Sequence, residues 1–178
     1  MISIVLEKPE KIKKITKRVE IKLKVKIDYA GNTFRIRGEE YNEFLCQEVL
    51  RAVDFGFDVE DALLLMKEDY SFQIINIKEH TTKKNLEPIR ARVIGANGRA
   101  KGTIGELTGS VIVVNVNQVG IIVSSEHLSQ VVQSIVSLIR GAKHANIFAY
   151  LEKQNSLLKK FDEEDLGLKP DKNQTSKL

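Results

Sequence analysis

Two glycines three residues apart constrain this chain more than any other feature; they lie in the run Arg92-Val93-Ile94-Gly95-Ala96-Asn97-Gly98-Arg99-Ala100-Lys101. Apolar spacing predicts a helix over 85–94 and a second over 99–108, which puts the glycines in the corner between them. Without Cβ atoms they let the backbone turn tightly and come close to another backbone. The second helix opens with unpaired N–H groups and a partial positive charge, and Arg99 and Lys101 add two full charges there. Such a corner suits a phosphate, whereas a corner serving packing alone would need no cations directly behind it.

The elements around the corner recur in order along the chain. The second half reads as a strand over 70–77, the two helices, a β-branched strand over 111–116, a short connection at Asn117-Gln118 and a strand over 119–123. Ser125 is the expected N-cap of a helix over 126–140 with Leu128, Val131, Val132, Ile135, Leu138 and Ile139 on one stripe. The first half reads as a strand over 2–6, a lysine-rich helix over 10–18 and an alternating strand over 19–27. A turn at Ala30-Gly31-Asn32, a strand over 33–37 and a helix over 40–55 stopped by Gly56 complete it. Asp58 opens a short connecting helix that buries 62–66. This order, β-α-α-β-β-α twice, predicts an α+β chain of two tandem type I KH domains with three-stranded sheets packed on helices. The expected units are 1–66 and 67–161. A helix over 145–160 is expected to lay Ile147, Phe148, Leu151, Leu157 and Leu158 over the junction of the halves, and the polar tail 162–178 is expected to be disordered.

Aligning the halves places Glu7-Lys8-Pro9-Glu10 opposite Gly95–Gly98. Proline lacks an N–H and the two glutamates are negative, so this segment is expected not to clamp a phosphate. The first half would contribute through Lys11, Lys13, Lys14 and its strand lysines, or by packing on a partner.

Composition narrows the function classes. Net charge is only +4, but nine Lys or Arg face two acids between Lys8 and Lys26, and cations return from Lys83 to Lys101. Such patches attract polyanions without reading sequence. One cysteine, Cys46, excludes an internal disulfide and a multi-thiolate metal site, and its helical apolar surroundings place it in the core. His80, His127 and His144 have no second ligand at metal spacing, and Glu60-Asp61 suits a helix start better than acid–base catalysis. No nucleophile motif or P-loop is present, so a non-enzyme is expected, without metal or cofactor. No apolar run approaches the ~20 residues of a membrane span, and a cytoplasmic location is expected.

The G-x-x-G corner, the tract Phe55-Gly56-Phe57-Asp58-Val59-Glu60-Asp61-Ala62-Leu63-Leu64-Leu65 and the run Gly141-Ala142-Lys143-His144 together resemble the archaeal and eukaryotic partner-of-Nob (Pno/Dim) family over about 2–160. The resemblance implies a tandem-KH ribosome assembly factor that binds the 3′ region of small-subunit pre-ribosomal RNA through its second KH domain. It also implies association with the Nob endonuclease, which performs the 3′ cleavage, and contact with the alpha subunit of initiation factor two. By position the RNA contacts would be Arg92, Ile94, Gly95, Ala96, Asn97, Gly98, Arg99 and Lys101, with Ile104 and Val113 in an apolar floor beneath the bases. The other readings are a general KH RNA-binding protein, an exosome-associated subunit, or a protein scaffold with RNA secondary. An exosome cap subunit would need a five-stranded barrel that this sequence does not hold. Gly102 and Gly105 sit inside the expected second helix, so replacing both with alanine is expected to raise stability.

Overall fold

The computed structural model describes residues 1–165, with side chains through Phe161; the tail expected over 162–178 otherwise lies outside the described residues. The first half consists of β1 (Ile2–Val5), α1 (Pro9–Lys13), α2 (Thr16–Leu23), β2 (Lys26–Ala30), β3 (Thr33–Arg37) and α3 (Glu40–Phe55). A short α4 (Val59–Ala62) and a 3₁₀ turn over Leu63–Met66 lead to the second half. That half has β4 (Tyr70–Asn76), α5 (Glu87–Ile94), α6 (Arg99–Thr108), β5 (Val111–Val114), β6 (Gln118–Ser124) and α7 (Ser125–Arg140), followed by α8 (His144–Asp165). Each half has a three-stranded antiparallel sheet, ordered β1-β3-β2 and β4-β6-β5. This is the β-α-α-β-β-α order twice over.

Three expectations change in the first half. Residues Thr16–Leu23 form a helix, not the start of a strand. Val19 and Leu23, four apart, are buried with Ile12 and Thr16, while Ile21 is 80% exposed. A strand would have carried Ile21 inward with its neighbours, and alternate burial begins only at Val25 and Ile27. Second, Glu7-Lys8-Pro9-Glu10 is not the counterpart of the glycine corner. It joins β1 to α1, and the Glu7 and Lys8 N–H groups donate to the Asp54 carboxylate at 2.9 and 2.7 Å. The counterpart between α1 and α2 is Lys14-Ile15, both in right-handed conformation (φ −66° and −110°). Third, helical spacing predicts an apolar stripe of Tyr41, Phe44, Leu45, Val49 and Val53 on α3, and the structure rotates it: Tyr41 and Phe44 are about half exposed, and Cys46, Val49, Leu50, Ala52 and Val53 are buried. Burial, the main cause, pushes the Cys46 thiol up to about 12.

The halves share a face. β6 carries the run Val119-Gly120-Ile121-Ile122-Val123, buried throughout, because helices cover one side of its sheet and the first half covers the other. Phe55, Phe57 and Phe72 meet there with ring centroids 5.6–6.0 Å apart. A Cβ on Gly120 would lie 2.6 Å from the Phe55 ring and 2.8 Å from Phe57, so only glycine admits the two rings. Lys8 and Lys11 donate to the Phe55 and Phe57 carbonyls at 3.4 and 3.3 Å, which commits Lys11, one of the lysines expected to supply charge, to the carbonyls at the end of α3.

α8 departs from expectation as well. Ile147 and Leu151 are buried in the core of the second half, where α8 packs on α6 and α7; it does not close the junction of the halves. α7 begins one residue early, with Ser124 at its N-cap and the Ser125 hydroxyl donating instead to the Asp69 carbonyl at 3.0 Å.

Candidate nucleic-acid interface

The corner between α5 and α6 is held by two anchors. Val93 on α5 and Ile104 on α6 are fully buried, so both helices are fixed to the core and the turn over 95–99 between them lies at the surface. Gly95 has φ +76° and ψ 168°, a region essentially closed to side chains, and a Cβ there would lie 2.5 Å from the Ala100 nitrogen. Asn97 and Gly98 both turn left-handed, at φ 52° and 76°. The Gly98 N–H donates to the Gly95 carbonyl at 3.1 Å, and no side chain caps α6. The Arg99 N–H donates to the Ala96 carbonyl, and the N–H groups that follow it in the first turn have no side-chain cap.

Charge is added where those groups point. The Lys101 side chain folds back so that its Cε is 3.7 Å from a Cβ placed on Gly98, which sets its ammonium beside the corner. Arg99 is exposed, and among the described residues no ion pair engages Arg92, Arg99 or Lys101. Ala96 and Asn97 are exposed, and Ile94 and Lys101 are half-buried. Among the described residues β5 is an edge strand with no strand on its outer side, so its backbone can meet the edges of bases lying over the corner.

Two expected floor residues are displaced. Ile104 is fully buried and supports the floor from beneath. Val113 faces the other side of the sheet, toward Gly56 and the first-half core. The strand period of two puts Ile112 and Val114 on the helix side of β5, Ile112 buried in the second core and Val114 half-buried against it. Arg92 is exposed, but its guanidinium rests against Gly141 rather than at the glycines. Arg90, read from sequence only as charge, donates to the Val116 carbonyl at 2.7 Å and ties α5 to the turn between β5 and β6. Among the described residues no group of three or more His, Cys, Asp or Glu side chains could hold a metal, and no helix is long and apolar enough to cross a membrane.

Comparison with known proteins fits this geometry. The sequence model for the second KH domain of PNO1, described as a eukaryotic type KH-domain (KH-domain type I), matches residues 71–156. A KH domain-containing protein of Methanocaldococcus jannaschii is 28% identical over 89% of this chain and 72% of its own length. These similarities all run to the Pno/Dim family of KH-domain proteins. The pre-rRNA-processing protein pno1 of Emericella nidulans is 24% identical over 78% of the chain, and the chain spans 57% of its length. Dim2p of Pyrococcus horikoshii superposes with a TM-score of 0.76 at 25% identity, covering 85% of this chain and 98% of that one. A crystal structure of the same Pyrococcus protein in an a/eIF2alpha-aDim2p-rRNA complex gives a TM-score of 0.77 at 24% identity, over 87% and 93% of the two chains. Pno/Dim proteins are RNA-binding and pre-rRNA-processing proteins rather than enzymes.

Proposed function

We propose that this chain binds single-stranded RNA through the Gly95–Gly98 corner, acts in small-subunit ribosome assembly, and takes the 3′ region of 16S pre-ribosomal RNA as its ligand. The observation that carries the reading is the corner itself: two backbone positions at φ +76°, a helix start with no side-chain cap, and two cations with no ion pair among the described residues, all at one place. In this reading Arg99, Lys101 and the first amides of α6 hold phosphates. Asn97 donates through its amide, and Ile94, Ala96 and Val114 line the path of the bases above Ile104. Arg92 acts at the entrance to the corner, and Val113 supports β5 from behind. The unit 67–161 grips RNA, while 1–66 adds the charge of its lysines and a surface for proteins. The pre-rRNA-processing relatives and the rRNA-bound Pyrococcus structure support the ligand. The same complex supports a contact with the alpha subunit of initiation factor two. A Nob-type endonuclease, which would perform the 3′ cleavage, completes the proposed partners.

Gly98→Asp tests the reading without disturbing the fold, because a Cβ there meets only the flexible Lys101 chain and aspartate tolerates the left-handed region. A carboxylate beside the phosphate site is expected to weaken binding of a 16S 3′-end oligonucleotide at least about tenfold. Unchanged affinity with an intact fold would overturn the clamp.

A further inference from the structure

The last turn of α5 runs straight into the glycine corner, so whatever orients that turn orients the corner. The Gly95 N–H takes the Ala91 carbonyl, and the Arg92 carbonyl is the next one left without a donor from its own helix. His144 supplies it from 52 residues away: Nε2 lies 2.8 Å from the Arg92 oxygen, and Nε2–H donates. The same residue is held by its side chain. Gly141, at φ +110°, places its Cα where a Cβ would lie 2.9 Å from Arg92 Nη1, so the guanidinium packs against the backbone of the α7–α8 corner. The imidazole is itself fixed at the first turn of α8, with its ring 6.1 Å from that of Phe148, which packs on the second core.

We propose that His144 is a positioning residue for RNA binding: its hydrogen bond to the Arg92 carbonyl fixes the end of α5 and thereby the backbone of Gly95–Gly98. This inference rests on the clamp reading above. His144 touches no nucleotide in this account; it acts through Arg92. It also gives the run Gly141-Ala142-Lys143-His144 a physical role, with glycine admitting the guanidinium and histidine holding the carbonyl of one residue.

Two substitutions in the full chain separate the hydrogen bond from the packing. His144→Phe keeps an aromatic ring over Phe148 and removes the donor; His144→Gln keeps a donor at the reach of Nε2. His144→Phe is expected to weaken binding of the 16S 3′-end oligonucleotide about three- to tenfold, the range of one lost hydrogen bond. Without RNA, it should shift the amide NMR signals of Gly95, Asn97 and Gly98 while those of the first half stay in place. His144→Gln should return affinity to within about twofold of the parent. Parent-like affinity and unmoved corner amides in His144→Phe would overturn the proposal, as would a Gln variant as weak as the Phe variant. Measuring Gly98→Asp alongside keeps the two readings apart. If it binds RNA normally the clamp fails, while the RNA-free amide shifts still report whether His144 sets the corner.

Discussion

The α5–α6 corner and the α1–α2 corner hold the same place in the two halves and are built from different materials. The second corner along the chain, α5–α6, has Gly95 and Gly98 at positive φ, with backbone exposed and two cations behind it. The first, α1–α2, has Lys14-Ile15 in ordinary right-handed geometry, flanked by Lys13 and Lys17. Both present positive charge, but only the second presents backbone. The difference teaches that charge and grip are separable in this fold: lysines on flexible stems attract a polyanion, whereas a fixed row of amides sets where each phosphate sits. Lys13 is already drawn into the first half, pairing with Glu10 at 2.6 Å and lying 5.5 Å from the centre of the Tyr29 ring.

The largest expected effect comes from removing the glycine that the second corner cannot do without. Gly95→Ala forces a Cβ to 2.5 Å from the Ala100 nitrogen at a φ that side chains avoid. It should destabilise the chain by about 2–4 kcal/mol in urea unfolding and abolish RNA binding. The matching Ile15→Ala in the first half removes a half-buried side chain without backbone strain and should cost less, about 1–2 kcal/mol. Next comes the face that joins the halves. Gly120→Val pushes into the Phe55 and Phe57 rings and should lower stability by about 1–3 kcal/mol. If unfolding is unchanged, the halves are not held together at this contact. Smaller again, Lys14→Ala with Lys17→Ala should weaken RNA binding at most about threefold, lowering the salt slope by no more than ~0.7 per lost phosphate contact. A loss as large as that of Gly98→Asp would show that the first corner grips as the second does. The smallest effect lies within α6. Gly102 has no heavy atom near its would-be Cβ, so Gly102→Ala should stabilise by up to about 1 kcal/mol. Gly105→Ala should not, because its Cβ would lie 2.8 Å from the Ser110 carbonyl, which corrects the expectation that both glycines were replaceable.

Much of this was legible where a local rule acts alone. α3 and α6 run over 40–55 and 99–108 as read, because a helical apolar period and a glycine stop both act within a few residues. The repeated element order gave the tandem fold. Reading failed where distant packing decides. Lysines alternating with apolar residues over 19–25 imitate a strand, and only the face turned toward Ile12 and Thr16 shows the helix. Glu7–Glu10 resembled a degraded clamp because nothing in the sequence announces that Asp54 caps it. Val113 and Val114 are equivalent in sequence, and the side of the sheet that the first half covers tells them apart. His144 read as isolated because its partner is a main-chain carbonyl, which leaves no side-chain signature.

The central claim, that the second corner grips RNA by its backbone, is tested most directly by titrating ¹⁵N-labelled full-length protein with a single-stranded 16S 3′-end oligonucleotide. The account predicts that the amides of Gly95 to Lys101 move most and saturate with the RNA, and that Gly98→Asp abolishes those shifts. Unmoved amides across that corner, with binding intact, would contradict it.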